Sequence, residues 1–433
     1  MNTVWQRIGI RGSAESRRAF IVGIFLIIVG GLILLLFARG ITWEQITTFD
    51  FHPTGVTQAI EIQDQPIPTM AVLYACALIC VFVGFLQLAH VLKRADLAIG
   101  IVAVAFVLAF LAWGARDRTL QITDLLKIAL LRAVPIAFAG LSGVLCERCA
   151  VINIAIEGMM LTGAFFASMM GSIALHIWGM PSIPSMIVGL VGAMLVGGLL
   201  GLLLAVLAVR FKVDQIIAGT AINILAVGLT SFLAARILSE YQQTLNNPDI
   251  FQPVAIPGLA SIPVIGPIFF EQNPLVYLLF ILLIGVHVML FYTPWGLRTR
   301  AVGEHPRAAD TLGINVFKTR YINVVLGGMV AGIGGAFFIL GAVGRFDEVM
   351  TAGRGFIGLA AMIFGNWMPS GIFGAALIFG FAAALEARLT VLGVGIPPQI
   401  MAMVPYLVTM IALAGIVGEV APPAADGQVY EKQ

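Results

Sequence analysis

The chain has 433 residues, of which 60% are hydrophobic and 11% charged, with a formal net charge of +2. Soluble domains carry about a quarter charged residues, so this composition excludes a water-soluble protein. It leaves a membrane domain without a separate soluble enzyme, and no nucleic-acid partner is expected.

The first apolar run, Phe20–Phe37, follows a stretch that carries Arg7, Arg11, Arg17 and Arg18. It superficially matches a signal peptide. No small-residue cleavage site follows before Phe37-Ala38-Arg39, and a retained first span is expected. Further apolar runs lie at about 70–92, 97–113, 125–145, 159–177, 186–209, 214–236, 274–292 and 321–343, with a broken pair near 356–388 and a last run at 400–418. Most approach the ~20 residues that cross a ~30 Å hydrocarbon layer. Lipid offers no hydrogen bonds, so helices that pair their own backbone are the natural form. The predicted fold class is all-α, a polytopic transmembrane helix bundle of about 10–11 spans with broken or re-entrant helices. Residues 1–113 form an N-terminal region with three spans, 114–420 a membrane core, and 421–433 a polar C-terminal tail. The break in the pair is Gly365-Asn366-Trp367-Met368-Pro369-Ser370-Gly371.

Lys and Arg set the orientation. The Pro-rich loop 237–273 falls in a gap without either residue between Arg236 and Arg298, which marks it as external. The basic segment 293–320 is then internal. The N-terminus is expected in the cytoplasm of a multi-pass cell-membrane protein, and the side of the C-terminus stays open. Segment 293–320 reads in one way as a positive-inside anchor. It also has an internal design: Gly303 as a turn, Pro306 opening a short helix, Arg307 through Leu312, and Gly313 as a stop. Glu304 and Arg307 would supply polar contacts, and Ala308 and Ala309 a small-sided face. A short polar helix across the cytoplasmic face is a shape that another protein can grip.

In the stretch 140–167, Asn153 and Glu157 stand four apart in an apolar setting, so a helix would place them on one face. Ionisable groups within the membrane are costly and raise a functional hypothesis. Two readings stand: Glu157 and Gly158 cap or kink a broken helix while Asn153 pairs backbone groups, or Asn153 and Glu157 line the substrate path. Asn223, in the run 214–236, is assigned to the same path. Gly140-Leu141-Ser142-Gly143 has the GxSG form of intramembrane serine proteases, but neither His90 nor His287 has the small-residue surroundings of a base helix. Cys146 and Cys149 have CxxC spacing without a second pair and are expected as buried or interfacial thiols, and all four cysteines, with Cys76 and Cys80, lie in or beside apolar segments and give no sign of a disulfide framework. There is no G-x-x-x-x-G-K-[ST] loop and no HExxH motif. Catalytic residues, a metal site and a bound cofactor are therefore not expected, and any ATP must be used by a partner.

Three separated motifs carry a resemblance. They are Glu147-Arg148 with Asn153-Ile154 and Glu157-Gly158-Met159-Met160; Ala301-Val302-Gly303-Glu304-His305-Pro306 with Ala308-Ala309-Asp310-Thr311-Leu312-Gly313-Ile314; and Thr351-Ala352-Gly353-Arg354-Gly355-Phe356-Ile357. Over about residues 125–425 the chain resembles the nucleoside and simple-sugar branch of ABC-importer permeases, relatives of the ribose and branched-chain amino acid permeases. It departs from that pattern with Cys146 and Cys149 where the family usually has Ser, and Ala150 and Ala155 where it has Gly. The resemblance implies a transport subunit that works beside a second related permease, as a heterodimer. It also implies a cytoplasmic ABC ATPase subunit and an extracytoplasmic substrate-binding protein. Residues 301–314 would be the coupling helix that docks in the ATPase. The motif form implies a nucleoside cargo first, simple sugars second and branched-chain amino acids third. A secondary transporter, which would rely on Glu157 and Glu386, and a membrane enzyme are the rival readings.

Overall fold

The computed structural model describes residues 14–51, 64–92, 94–391, 403 and 421–432. Among the described residues ten helices are long and apolar enough to cross a membrane. They agree with the apolar runs to within a few residues at most ends; the run at 400–418 lies outside the described residues. The chain divides into two compact units, one of residues 1–124 and 387–398, the other of 125–386 and 399–433.

In the first unit, α1 (Ala14–Phe37), α2 (Thr69–Leu88) and α3 (Ala95–Gly114) bury Leu26, Ile33, Leu73, Cys76 and Cys80 between them. Phe37 anchors an aromatic cluster, its ring 5.5–5.6 Å from those of Phe106, Phe110 and Trp113. A three-stranded sheet in the order β2-β1-β3 joins β1 (Ile46–Asp50) antiparallel to β2 (Gln65–Pro68) and parallel to β3 (Thr119–Gln121). The buried Thr47 hydroxyl ties this sheet to the helices, bonding Thr69 Oγ1 at 2.9 Å and donating to the Ala112 carbonyl at 3.0 Å.

The second unit opens with α4 (Ile122–Glu147), which begins three residues before the boundary, and continues with α5 (Ile156–Ser172), α6 (Ser182–Ala205) and α7 (Gln215–Leu233). After a short α8 (Gln242–Leu245) come α9 (Pro274–Tyr292), α10 (Pro294–Glu304), α11 (Pro306–Thr311) and α12 (Val316–Phe338). The broken pair is α13 (Arg354–Phe364) and α14 (Pro369–Val391). Helices start where a side chain accepts the first free backbone N–H groups: Asp214 caps α7, Asn273 caps α9, Thr293 caps α10 and Asn315 caps α12.

The centre of this unit is the crossing of α5, α6 and α12. Small residues let the backbones touch: a Cβ at Gly332 of α12 would fall on the Ala193 carbonyl of α6. The outward faces of α6, α7 and α9 leave Leu195, Ile224, Phe232 and Ile284 exposed, as lipid or a second membrane subunit permits. The four cysteines are buried free thiols.

With its π-helical end, α12 continues to Val343, and 28 residues extend about 42 Å. Beyond the Val343 end, loop 239–273 is pinned through Asn246, whose Oδ1 accepts from Ser168 Oγ at 2.6 Å and from the Phe346 amide at 2.7 Å. At the Val316 end lie α10, α11 and residues 421–432. The two loops with opposite basic content thus sit at opposite ends of one membrane-length helix, and the described C-terminal residues lie at the same end as segment 293–320.

Candidate functional site

Two places gather the singled-out residues: a joint where two interrupted helices begin, and a cap on the Val316 end of α12.

The joint forms around the first turn of α5. Irregular backbone at 148–155 precedes it, and no side chain of its own N-cap residue, Ala155, serves its free N–H groups. Asn223 of α7 supplies the missing partner, accepting from the Gly158 amide at 2.8 Å and donating to the Ile154 carbonyl at 2.9 Å. Glu157 points the other way, into the start of α13. Its two carboxyl oxygens accept from Thr351 Oγ1 at 2.6 Å, the Gly353 amide at 2.8 Å and the Gly355 amide at 2.7 Å. Those amides belong to a helix N-terminus, where free donors and the helix dipole favour an acidic group. At 11 residues, α13 extends only about 16 Å, too short to cross alone. Glu157 thus binds one broken helix to another and is 7% exposed.

Asn153 does not join this pair. It is fully buried one turn earlier, its Nδ2 facing Cys146 Sγ at 3.3 Å and Met159 Sδ at 3.7 Å, while its Oδ1 has no hydrogen-bond partner. Of the three residues assigned to a substrate path, the fold brings Glu157 and Asn223 together on one helix turn and leaves Asn153 apart.

The cap follows the expected design in its second half. Pro306 is the first residue of α11, and Gly313 ends it with φ +83°, a left-handed conformation that glycine adopts without Cβ strain. His305 caps it, its Nδ1 accepting from the Ala308 amide at 3.3 Å. Two expectations change. Gly303 is not the turn; it lies inside α10, and the break falls at His305, with φ −148° and ψ 80°. Glycine is needed at 303 because a Cβ there would fall on the Arg148 carbonyl oxygen. Ala309 is not on a presented face either: it is 2% exposed, packed with Val302, Val316 and Tyr430. The exposed side of the cap carries Glu304, His305, Arg307, Ala308 and Leu312, the last 82% exposed, with Asp310 half-buried.

Glu147 and Arg148 connect the cap to the turn between α13 and α14. Asn366 and Trp367 both take left-handed backbone, with φ 51° and 52°, which costs non-glycine residues about 1–2 kcal/mol each. Arg148 holds that turn, Nη2 and Nε donating to the Trp367 carbonyl at 2.9 and 3.2 Å, and Glu147 Oε2 accepts from Trp367 Nε1 at 2.6 Å. Arg148 and Arg300 both stack on the Phe291 ring, at 5.6 and 5.0 Å from its centre. Burial lowers Arg148 from the usual arginine value, against the pull of Glu304 beside it. Sequence reasoning quoted Glu147-Arg148 only as a motif. The signal for its role was the Gly365-Asn366-Trp367 break, whose strained turn needs a partner. Among the described residues no group of His, Cys, Asp and Glu could hold a metal ion.

The family profile described as "Branched-chain amino acid transport system / permease component" matches residues 125–413. The guanosine ABC transporter permease protein NupQ of Bacillus subtilis is 41% identical over 317 residues, covering 70% of this chain and 95% of that protein. The nucleoside ABC transporter permease protein NupC of Lactococcus lactis is 38% identical, covering 72% of this chain and 98% of that protein. A second guanosine permease protein of B. subtilis, NupP, is 24% identical over 253 residues, 57% of this chain and 69% of that protein. No solved structure matches the chain significantly.

Proposed function

This chain belongs to the family of permease components described for branched-chain amino acid transport systems and is a permease subunit of an ATP-binding-cassette importer, and we propose that its cargo is a nucleoside. The descriptions of NupQ and NupC support that cargo, and the cap on α12 supports the ATP-driven assembly. Its polar helix of six residues exposes too little apolar surface to be held by a membrane, while Leu312 stands out of it into solvent, the arrangement that a protein cleft would cover. A cytoplasmic ATPase fits that place, with ATP bound there and not on this chain. ATP binding and hydrolysis then bias the two access states of the membrane subunits.

The second membrane subunit is a related permease. Two B. subtilis proteins share the guanosine permease description, and this chain is 41% identical to one and 24% to the other, the pattern of one half of an unlike pair. A substrate-binding protein on the far side completes the assembly, with the N-terminus and segment 293–320 in the cytoplasm. Glu157, Asn223 and Asn153 line or support the cargo path, Glu157 by tying together the two helices that begin at the joint.

Reconstituting the chain with the second permease, ATPase and binding protein in proteoliposomes tests the proposal. Labelled guanosine or adenosine should accumulate only with ATP. Accumulation without ATP, or of glucose or leucine but no nucleoside, would overturn it.

A further inference from the structure

The polar residues at the end of the chain lie across the cap instead of leading away from it. The Ala425 amide donates to the Gly303 carbonyl at 3.0 Å and the Ala424 amide to Glu304 Oε2 at 3.2 Å, both at the end of α10 where the chain breaks toward α11. Arg320 of α12, 2% exposed, donates from Nη1 to the Gln428 carbonyl at 3.1 Å. Tyr430 closes the contact. Its side chain covers Ala309 together with Val302 and Val316, its ring lies 5.4 Å from that of Phe317, and its hydroxyl bonds with Asp310. Beyond it, Glu431 pairs with Lys212.

These contacts have a mechanical consequence. Residues 306–311 make less than two helical turns, and isolated helices of that length are not stable in water. Ala309 has too small a side chain to anchor them by itself. The aromatic ring laid over it supplies apolar contact, and the bonds to Gly303 and Glu304 fix the hinge before it.

We propose that residues 424–431 are a strap that holds helix α11 against α12, with Tyr430 as the positioning residue through which movement of that helix reaches the membrane spans. The strap rests on the reading of 301–314 as the ATPase-coupling segment. It does not touch the cargo. Its loss therefore lowers the turnover that follows ATP hydrolysis and not the affinity for loaded binding protein.

Two measurements test the strap. A spin label at Thr311→Cys in the permease alone should be ordered in the parent chain, mobile in Tyr430→Ala, and ordered again in Tyr430→Phe, which keeps the ring. In the reconstituted complex, Tyr430→Ala should lower uptake and substrate-stimulated ATP hydrolysis about tenfold with an unchanged half-saturating concentration of loaded binding protein, and Tyr430→Phe should restore most of both. A chain stopped after Val429 repeats the comparison by removing Tyr430 together with Glu431 and its pairing to Lys212. An equally ordered label in Tyr430→Ala and the shortened chain overturns the strap. A mobile label with undiminished coupled hydrolysis overturns instead the reading of 301–314 on which the role depends.

Discussion

The joint at Glu157 and the cap at α11 are both short polar interruptions in an apolar chain, yet they dispose of their polarity in opposite ways. At the joint every acceptor of Glu157 is taken by the chain's own donors, and the side-chain amide of Asn223 bridges two more backbone groups. At the cap, Arg307, Ala308 and Leu312 face outward. An acidic residue in an apolar span therefore need not touch cargo to matter, since it can hold two helix starts in place. An exposed leucine beside charged residues points to a surface that another protein covers. Direction, and not polarity alone, separates the two.

The largest effect is expected where the joint is cut. In Glu157→Gln one oxygen becomes an NH2 group that faces the N–H of Gly353 or Gly355, donor against donor. A buried group left so costs about 1–3 kcal/mol, up to about a hundredfold in the equilibrium of the joint. Uptake in proteoliposomes should fall by about that factor, while membrane insertion and complex assembly, followed by co-purification, persist. A variant that no longer accumulates or assembles would show that Glu157 serves only the fold; full uptake would show that the joint is not part of the path.

The cap should answer differently at two positions three residues apart. Leu312→Ala removes side-chain carbon from an 82% exposed site, so the thermal stability of the permease alone should not change. Retention of the ATPase should weaken by about fiftyfold if a cleft fully buries that side chain, at about 0.8 kcal/mol for each of the three carbons removed. Ala309→Trp has the reverse signature. It forces a large ring into the space under Tyr430, and overpacking costs about 1–3 kcal/mol, so the permease should lose stability before any ATPase is added. Equal behaviour of the two variants in both assays would erase the distinction between the outward and the packed side of the cap.

Much of this was legible from the residues. Apolar runs located the ten described spans because length and composition set that signal locally. Pro306 and Gly313 marked α11 because proline fixes its own φ and glycine takes the left-handed backbone of a helix stop without Cβ strain. The misreadings share one cause. Gly303 looked like a turn because glycine is flexible, while its real constraint is the carbonyl of Arg148, 155 residues away in sequence. Ala309 looked like a presented face because nothing local showed Tyr430 above it. Glu157 and Asn223 could be singled out as costly or polar, but which donors they meet depends on the packing of α5, α7 and α13. The tail read as a simple polar end, although Tyr430 was an aromatic residue in a polar stretch that asked for a partner.

The smallest effect concerns how firmly that tail is held. Asp426 lies outside the spans, half-buried, and hydrogen-bonds with Glu147 at the end of α4. Burial pushes it up from 3.8 to about 6, against its bonds with the Gly427 backbone and Glu147 and the attraction of Arg320 on α12; the thiols of Cys146 and Cys149 also face it. A raised value in the docked state means that the docked tail holds a proton more tightly than the free tail. Docking is then strongest below pH about 4 and weakens as pH rises toward about 6. From pH 5 to pH 7 the loss is at most about tenfold, less where water reaches the half-exposed carboxyl. A spin label at the exposed Val429 should therefore be more mobile at pH 7 than at pH 5. Asp426→Asn, which carries no titrating proton, should abolish that difference and keep the label ordered at both. The same pH response in the Asn variant would assign it to another group, and no response in the parent chain would show that the Glu147–Asp426 contact does not bear on the hold of the tail.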